Sequence, residues 1–233
     1  MKALILDYNG VLVNDEPLHL QAFRKTLAAS GIRLSDGDYF TRYLGLPDRD
    51  IARDALRRAG TEAAGLDDAV DHLLARKAFA YRELVRRDLP EAPGAAAFVL
   101  AAAERWPIAV ASGAIRVEVE DGLYRLGIRD AVSVVVTIED VRRGKPDPEI
   151  LLTAREALIR IVRSVGLTQA LDADEPAASF LVIEDSPAGL AAARAAWMPA
   201  IGVTTSRPAA ELKPADLVVS DLASLTLEAI AAL

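Results

Sequence analysis

Lys2-Ala3-Leu4-Ile5-Leu6-Asp7-Tyr8-Asn9-Gly10-Val11 decides the fold of this chain. An apolar run too short for a helix ends at a carboxylate, and a glycine turn follows at once. That pattern reads as a buried β-strand whose tip delivers Asp7, a common way to aim a nucleophile. Three further β-branched-rich runs stop in the same manner: Ile108–Ala111 at Ser112, Val132–Val136 at Thr137, and Phe180–Ile183 at Glu184-Asp185. Ala200–Val203 and Leu217–Val219 read as further strands. Helical patterns separate these runs, so the expected fold class is α/β: a Rossmann-like parallel sheet with helices on both faces. Ligands of such sheets bind beyond the carboxyl ends of the strands, where these polar residues fall.

Between the first two runs lie about ninety residues of helical pattern. Leu18, Ala22, Phe23 and Leu27 share one helix face. Ser35 is placed to cap a second helix, and Asp50–Ala59 and Asp67–Arg87 continue the pattern. Leu89-Pro90-Glu91-Ala92-Pro93-Gly94 then breaks it. The stretch is too long for one crossover helix, which implies an inserted helical subdomain over 16–89 and a core over 1–15 and 90–233. The hinges are expected at Val13–Pro17 and Leu89–Gly94.

Of the 233 residues 52% are hydrophobic, a globular composition. The net charge of −7 argues against a sequence-independent grip on nucleic acid or anionic lipid. Absence of cysteine excludes disulfides, thiolate metal sites and cysteine catalysis. No run approaches the roughly 18 apolar residues of a membrane span, and residues 1–13 lack signal-peptide features. The expectation is a cytoplasmic monomer or weak dimer with no nucleic-acid or membrane partner.

Four dispersed signals converge once the sheet is drawn. Asp7 is the strand-tip carboxylate. Ser112-Gly113 offers a hydroxyl beside backbone N–H groups, a cradle for phosphate oxygens. Lys145, in Gly144-Lys145-Pro146-Asp147-Pro148, is expected to open a helix, where cation and helix N-terminus together favour an anion. Glu184-Asp185 supplies carboxylates facing Asp7, and such a group of acids calls for a hard cation such as Mg²⁺. Ser186-Pro187 is expected to cap the next helix.

Taken together, these residues resemble the four motifs of the haloacid dehalogenase superfamily, in order along the chain. The first is Leu4–Val13, the second Ala111-Ser112-Gly113, the third Gly144–Pro148 and the fourth Val182–Gly189. The insertion resembles the α-helical cap of the β-phosphoglucomutase-like branch. The resemblance implies a Mg²⁺-dependent phosphatase acting on a small phosphorylated metabolite through an aspartyl-phosphate on Asp7. It further implies metal binding by Asp7, the backbone carbonyl of Asn9, Asp185 and Glu184, the last as ligand or orienter. Ser112, Gly113 and Lys145 would hold the phosphoryl oxygens, and Arg49 and Lys77 of the cap would contact substrate.

Asn9 departs from the family pattern, which has an aspartate there to move protons. An amide cannot, so ordinary esters should turn over slowly and substrates with good leaving groups should suffer less. Asp15, Glu16 or His19, just beyond the turn, could substitute as proton carrier, although His19 reads first as a hinge or packing residue. The alternatives are a mutase-type phosphotransferase and a catalytically silent phosphometabolite binder. A metal-free dehalogenase is disfavoured, since Glu184-Asp185 would be a costly cluster without a cation. His72 and Arg142-Arg143 read as solvated, and Trp106 and Trp197 as packing residues. Ile150, Leu151, Ala154, Leu158, Ile161, Val162 and Val165 form a helix stripe, and Leu167–Ser179 reads as an acidic loop or short extra helix.

Overall fold

A computed structural model describes residues 2–44, 46, 48–164 and 174–232. Six strands form one sheet: β1 (Ala3–Leu6), β2 (Ile108–Ser112), β3 (Val134–Thr137), β4 (Phe180–Glu184), β5 (Ala200–Val203) and β6 (Leu217–Val219). Their order is β3-β2-β1-β4-β5-β6, with every pairing parallel. The chain runs outward from β1 to β3 and then returns to lay β4 against the other side of β1. This reversal is the switch point at which α/β sheets open a crevice. Leu6 stands level with Val110 on β2 and Ile183 on β4, so Asp7 emerges between the ends of both neighbours.

The chain divides into two compact units, Met1–Asn14 with Pro90–Leu233, and Asp15–Leu89. The division falls one residue earlier than the sequence suggests, because the Asp15 carboxylate is engaged by Tyr81 and His19 of the helical unit.

The helical unit contains α1 (Glu16–Ala28), α2 (Asp36–Asp38), α3 (Asp48–Arg58) and α4 (Leu66–Arg87). Pro17 sits in the first turn of α1, where its missing N–H costs nothing. The apolar positions recur at helical spacing and bury a core around Phe23, Leu27, Tyr39, Ile51, Leu56 and Val70. Ser35 does cap, accepting from the Asp38 backbone N–H, but α2 lasts three residues before a π-helical turn over Tyr39–Tyr43.

In the sheet unit, α5 (Ala95–Ala103), α6 (Arg116–Arg125), α7 (Glu149–Ser164), α8 (Pro187–Ala195) and α9 (Leu227–Ala231) accompany the strands. Ala3, Ile5, Ala109, Ala111 and Val182 on one sheet face pack with Ile150, Ala154, Leu158 and Leu190 of α7 and α8. Leu4, Leu6, Val110 and Ile183, alternating with them, are also fully buried. Cover on both faces explains why the strands read as continuous apolar runs. Ser186 caps α8 by accepting from the Gly189 N–H, with Pro187 behind it.

Three expectations need correction. Lys145 does not open a helix: α7 begins at Glu149, and Lys145 lies in the preceding loop with a cis bond to Pro146. That loop folds back on the helix start, where the Glu149 carboxylate accepts from the N–H groups of Arg142 and Arg143. Within the α7 stripe Ile161 is exposed and Ile159 faces inward in its place, while Val165 lies outside the described residues. Trp197 does not pack: it is 84% exposed, in a left-handed backbone conformation just past α8. His72 and Arg142-Arg143 are exposed as expected, and Trp106 is half-buried. Of the acidic segment 167–179, residues 167–173 lie outside the described residues and Ala177–Ser179 forms a 3₁₀ turn. Among the described residues, no helix is long and apolar enough to cross a membrane.

Candidate active site

Asp7, Glu184, Asp185 and Lys145 meet at the carboxyl ends of β1 and β4. Pairing of β1 with β4 continues one residue past the strand, with Asp7 N–H donating to the Ile183 carbonyl at 3.0 Å, and this fixes the side chain at the crevice. Carboxylate oxygens of Asp7, Glu184 and Asp185 lie within 4.8 Å of one another. Lys145 Nζ stands 2.6 Å from Glu184 Oε1 and 2.9 Å from Asp7 Oδ1.

The three acids have different surroundings. Glu184 Oε2 accepts from the backbone N–H groups of Asp185 and Ser186 and from Ser186 Oγ, while Oε1 accepts from Lys145. The lysine and these donors hold Glu184 below the usual carboxylate range against the effect of its burial. Burial pushes the Asp7 carboxyl up to about 7, Lys145 opposes this, and the neighbouring Glu184 adds to it. Asp185 is likewise raised, by burial first and then by the negative charges of Glu184 and Asp7. Lys145 is held above its ordinary value by the two carboxylates it touches, which outweigh its own desolvation.

Fully ionised, the four groups carry three negative charges and one positive, an excess of two. A divalent, oxygen-seeking cation is the natural complement. Asp7 Oδ1 is buried with the Lys145 ammonium 2.9 Å away, a single positive charge that it shares with Glu184. Gly10 contributes the space. Its backbone is left-handed (φ +74°), and a β-carbon there would fall inside the Asp185 carboxylate.

Ser112, the last residue of β2, is fully buried, and its Oγ accepts from the Ala114 N–H at 3.1 Å. That bond shapes the turn and leaves the hydroxyl proton available to another acceptor. Gly113 follows on the exposed turn. Asn9 lies in the loop after β1, which Gly10 N–H to Val13 carbonyl and Leu12 N–H to Tyr8 carbonyl bonds hold closed.

A model of the family "haloacid dehalogenase-like hydrolase" matches residues 1–196. The chain belongs to the haloacid dehalogenase-like hydrolases. The family is thus the one that the dispersed motifs resemble, and its members include enzymes named for phosphate chemistry. Validoxylamine A 7′-phosphate phosphatase of Streptomyces hygroscopicus subsp. limoneus is 31% identical over 229 residues, covering 95% of this chain and 94% of that protein. The β-phosphoglucomutase of Bacillus subtilis is 29% identical over 98% of this chain and 93% of its own length. A crystal structure of β-phosphoglucomutase from Clostridium difficile shares the fold, with a TM-score of 0.75 at 22% identity across 100% of this chain and 96% of that one.

Arg49 and Lys77 of this family member lie in the helical unit. Arg49 Nη1 donates to Asp71 at 2.7 Å on the surface. Lys77 is buried, donating to Asp48 Oδ2 and to His19 Nδ1, both at 2.6 Å. With Nδ1 accepting, the His19 proton is assigned to Nε2, which donates to Asp15 at 3.1 Å. Glu16 accepts from Tyr39 Oη at 2.5 Å. Asp15, Glu16 and His19 are therefore each engaged within the helical unit.

Two contributors escape a reading of the sequence. Ser206, just past β5, hydrogen-bonds Asp185. Asp48, beside Arg49, partners Lys77. A serine after a strand and an aspartate in a first helical turn are too common to carry a signal.

Proposed function

We propose that the chain is a Mg²⁺-dependent phosphatase of a small phosphorylated metabolite, with Asp7 as nucleophile. The observation that carries this reading is the convergence of Asp7, Glu184 and Asp185 around Lys145, whose single positive charge leaves the cluster short of two positive units. Asp7, Asp185 and the backbone carbonyl of Asn9 would hold the cation, which would draw charge from the phosphoryl oxygens. Glu184, its oxygens already bonded, acts as orienter of Lys145 and of the turn into α8.

In this reading an Asp7 oxygen attacks phosphorus, the bond to the ester oxygen breaks, and the leaving oxygen takes a proton from water. Water then cleaves the aspartyl-phosphate, releasing inorganic phosphate and restoring the carboxylate. Lys145 and the Ser112 hydroxyl, with the Gly113 N–H, neutralise and hold the phosphoryl oxygens. Asn9 cannot relay a proton, so esters with poor leaving groups react slowly. Arg49 and Lys77 are assigned to substrate contacts. The relatives named for phosphatase and mutase activity support phosphate chemistry, and the acidic cluster supports it over metal-free dehalogenation.

The test is release of inorganic phosphate from a panel of sugar phosphates, aryl phosphates and acyl phosphates with Mg²⁺, beside chloride and fluoride release from haloacids. Phosphate release that needs metal and vanishes in Asp7→Asn is the expected result. Interconversion of sugar phosphates without phosphate release would replace this reading by a phosphotransferase. Silence across the panel with ligand-dependent thermal stabilisation would replace it by a binding protein.

A further inference from the structure

The helical unit contains a cavity of about 430 Å³ that none of the residues assigned above lines. Buried Leu27, Leu34 and Tyr43 are among its lining residues. Three exposed arginines from separate segments also line it: Arg33 from the loop after α1, Arg42 from the π-helical turn, and Arg58 from the end of α3. Arg24, Arg49 and Arg53 of the same unit are each paired with an aspartate. Among the described residues, the three lining arginines have no such partner. Asp38, the one acid on the lining, instead accepts from Ser35 Oγ at 2.5 Å.

Three cations gathered around one hollow repel each other, and the chain has 34 acidic residues from which a counter-charge could have been drawn. Guanidinium forks match phosphate and carboxylate groups in two-point contacts. The volume falls within the range of small-molecule sites, and Leu27, Ile32 and Leu34 on the lining suit the body of an organic anion.

We infer that this cavity is a second binding site, taking a compact oligoanion with two or more phosphate or carboxylate groups. It does not depend on the phosphatase reading. A protein inactive on every phosphate ester would still carry the site.

Calorimetric titration with inorganic pyrophosphate and, separately, citrate, both with metal chelated away, distinguishes the two anion chemistries. At least one probe should bind saturably, and should bind at least about tenfold more weakly to Arg33→Ser/Arg42→Ser/Arg58→Ser. Rising salt should weaken it further. Aryl phosphate hydrolysis by that variant should stay within about twofold of wild type, because the arginines lie outside the catalytic machinery. Should the triple variant unfold, Arg42→Gln alone, an exposed replacement, should still weaken binding about threefold. Equal binding by wild type and variants, or no saturable binding of either probe, overturns the inference.

Discussion

The α-carbon of Gly10 faces the carboxylate of Asp185 so closely that no β-carbon fits between them. The positive φ of Gly10 and this contact act together: the turn that aims Asp7 is also the wall that holds Asp185. Gly10→Ala should therefore lose about 1–2 kcal/mol to left-handed strain alone, with a further loss from the displaced carboxylate. Urea unfolding would register the first effect. The second should appear as a weaker Mg²⁺-dependent rise in Tm, and an unchanged metal response would disprove the coupling.

Metal binding should depend on pH with a definite sign. Asp7 sits at about 7 in the folded chain against an ordinary value of 3.8. A raised carboxyl favours the protonated native state, so its contribution to metal-free stability is full below the ordinary value and is lost as pH rises through about 7. The cation needs the ionised form. The thermal stabilisation produced by Mg²⁺ should thus grow between pH 5.5 and pH 8, and calorimetry at constant ionic strength reads it. Stabilisation that is flat with pH would contradict a role for Asp7 in holding the ion.

Asn9→Asp restores a group able to move protons at the loop after β1. Turnover of alkyl phosphates should rise by about 10²–10⁴-fold, the usual worth of general acid–base catalysis. Aryl and acyl phosphates, whose oxygens leave readily, should gain much less. Steady-state phosphate release on both classes checks this, and equal gains would mean that leaving-group protonation is not what Asn9 lacks.

Trp197 occupies the position after α8 that glycine prefers. Its N–H donates to the Arg194 carbonyl and the Met198 N–H to the Ala193 carbonyl, closing a Schellman turn with φ +59° at the tryptophan. The side chain is exposed and offers little burial in return. Trp197→Gly should stabilise the protein by about 0.5–1 kcal/mol, or about 1–4 °C in Tm for a chain of this size. Scanning calorimetry decides it, and a fall in Tm would reveal packing by the indole.

The sequence by itself determined the sheet and the carboxylates at its edge. Strands buried on both faces must be short, continuously apolar and bounded by polar residues, and that constraint is local enough to read at Leu4-Ile5-Leu6 and at Leu181-Val182-Ile183. It also placed Asp7 and Asp185, because a strand's last residue is fixed wherever the apolar run stops. The Ser186-Pro187 cap was legible for the same reason. Only the tertiary structure decided the placement of Lys145: a cation four residues ahead of α7 reaches Asp7 and Glu184 through a loop whose path depends on the Glu149 carboxylate. Folding also brought Ser206 to Asp185 and gathered Arg33, Arg42 and Arg58 around one hollow. Those contacts join residues far apart in the chain, and periodicity and spacing report only on neighbours along the chain.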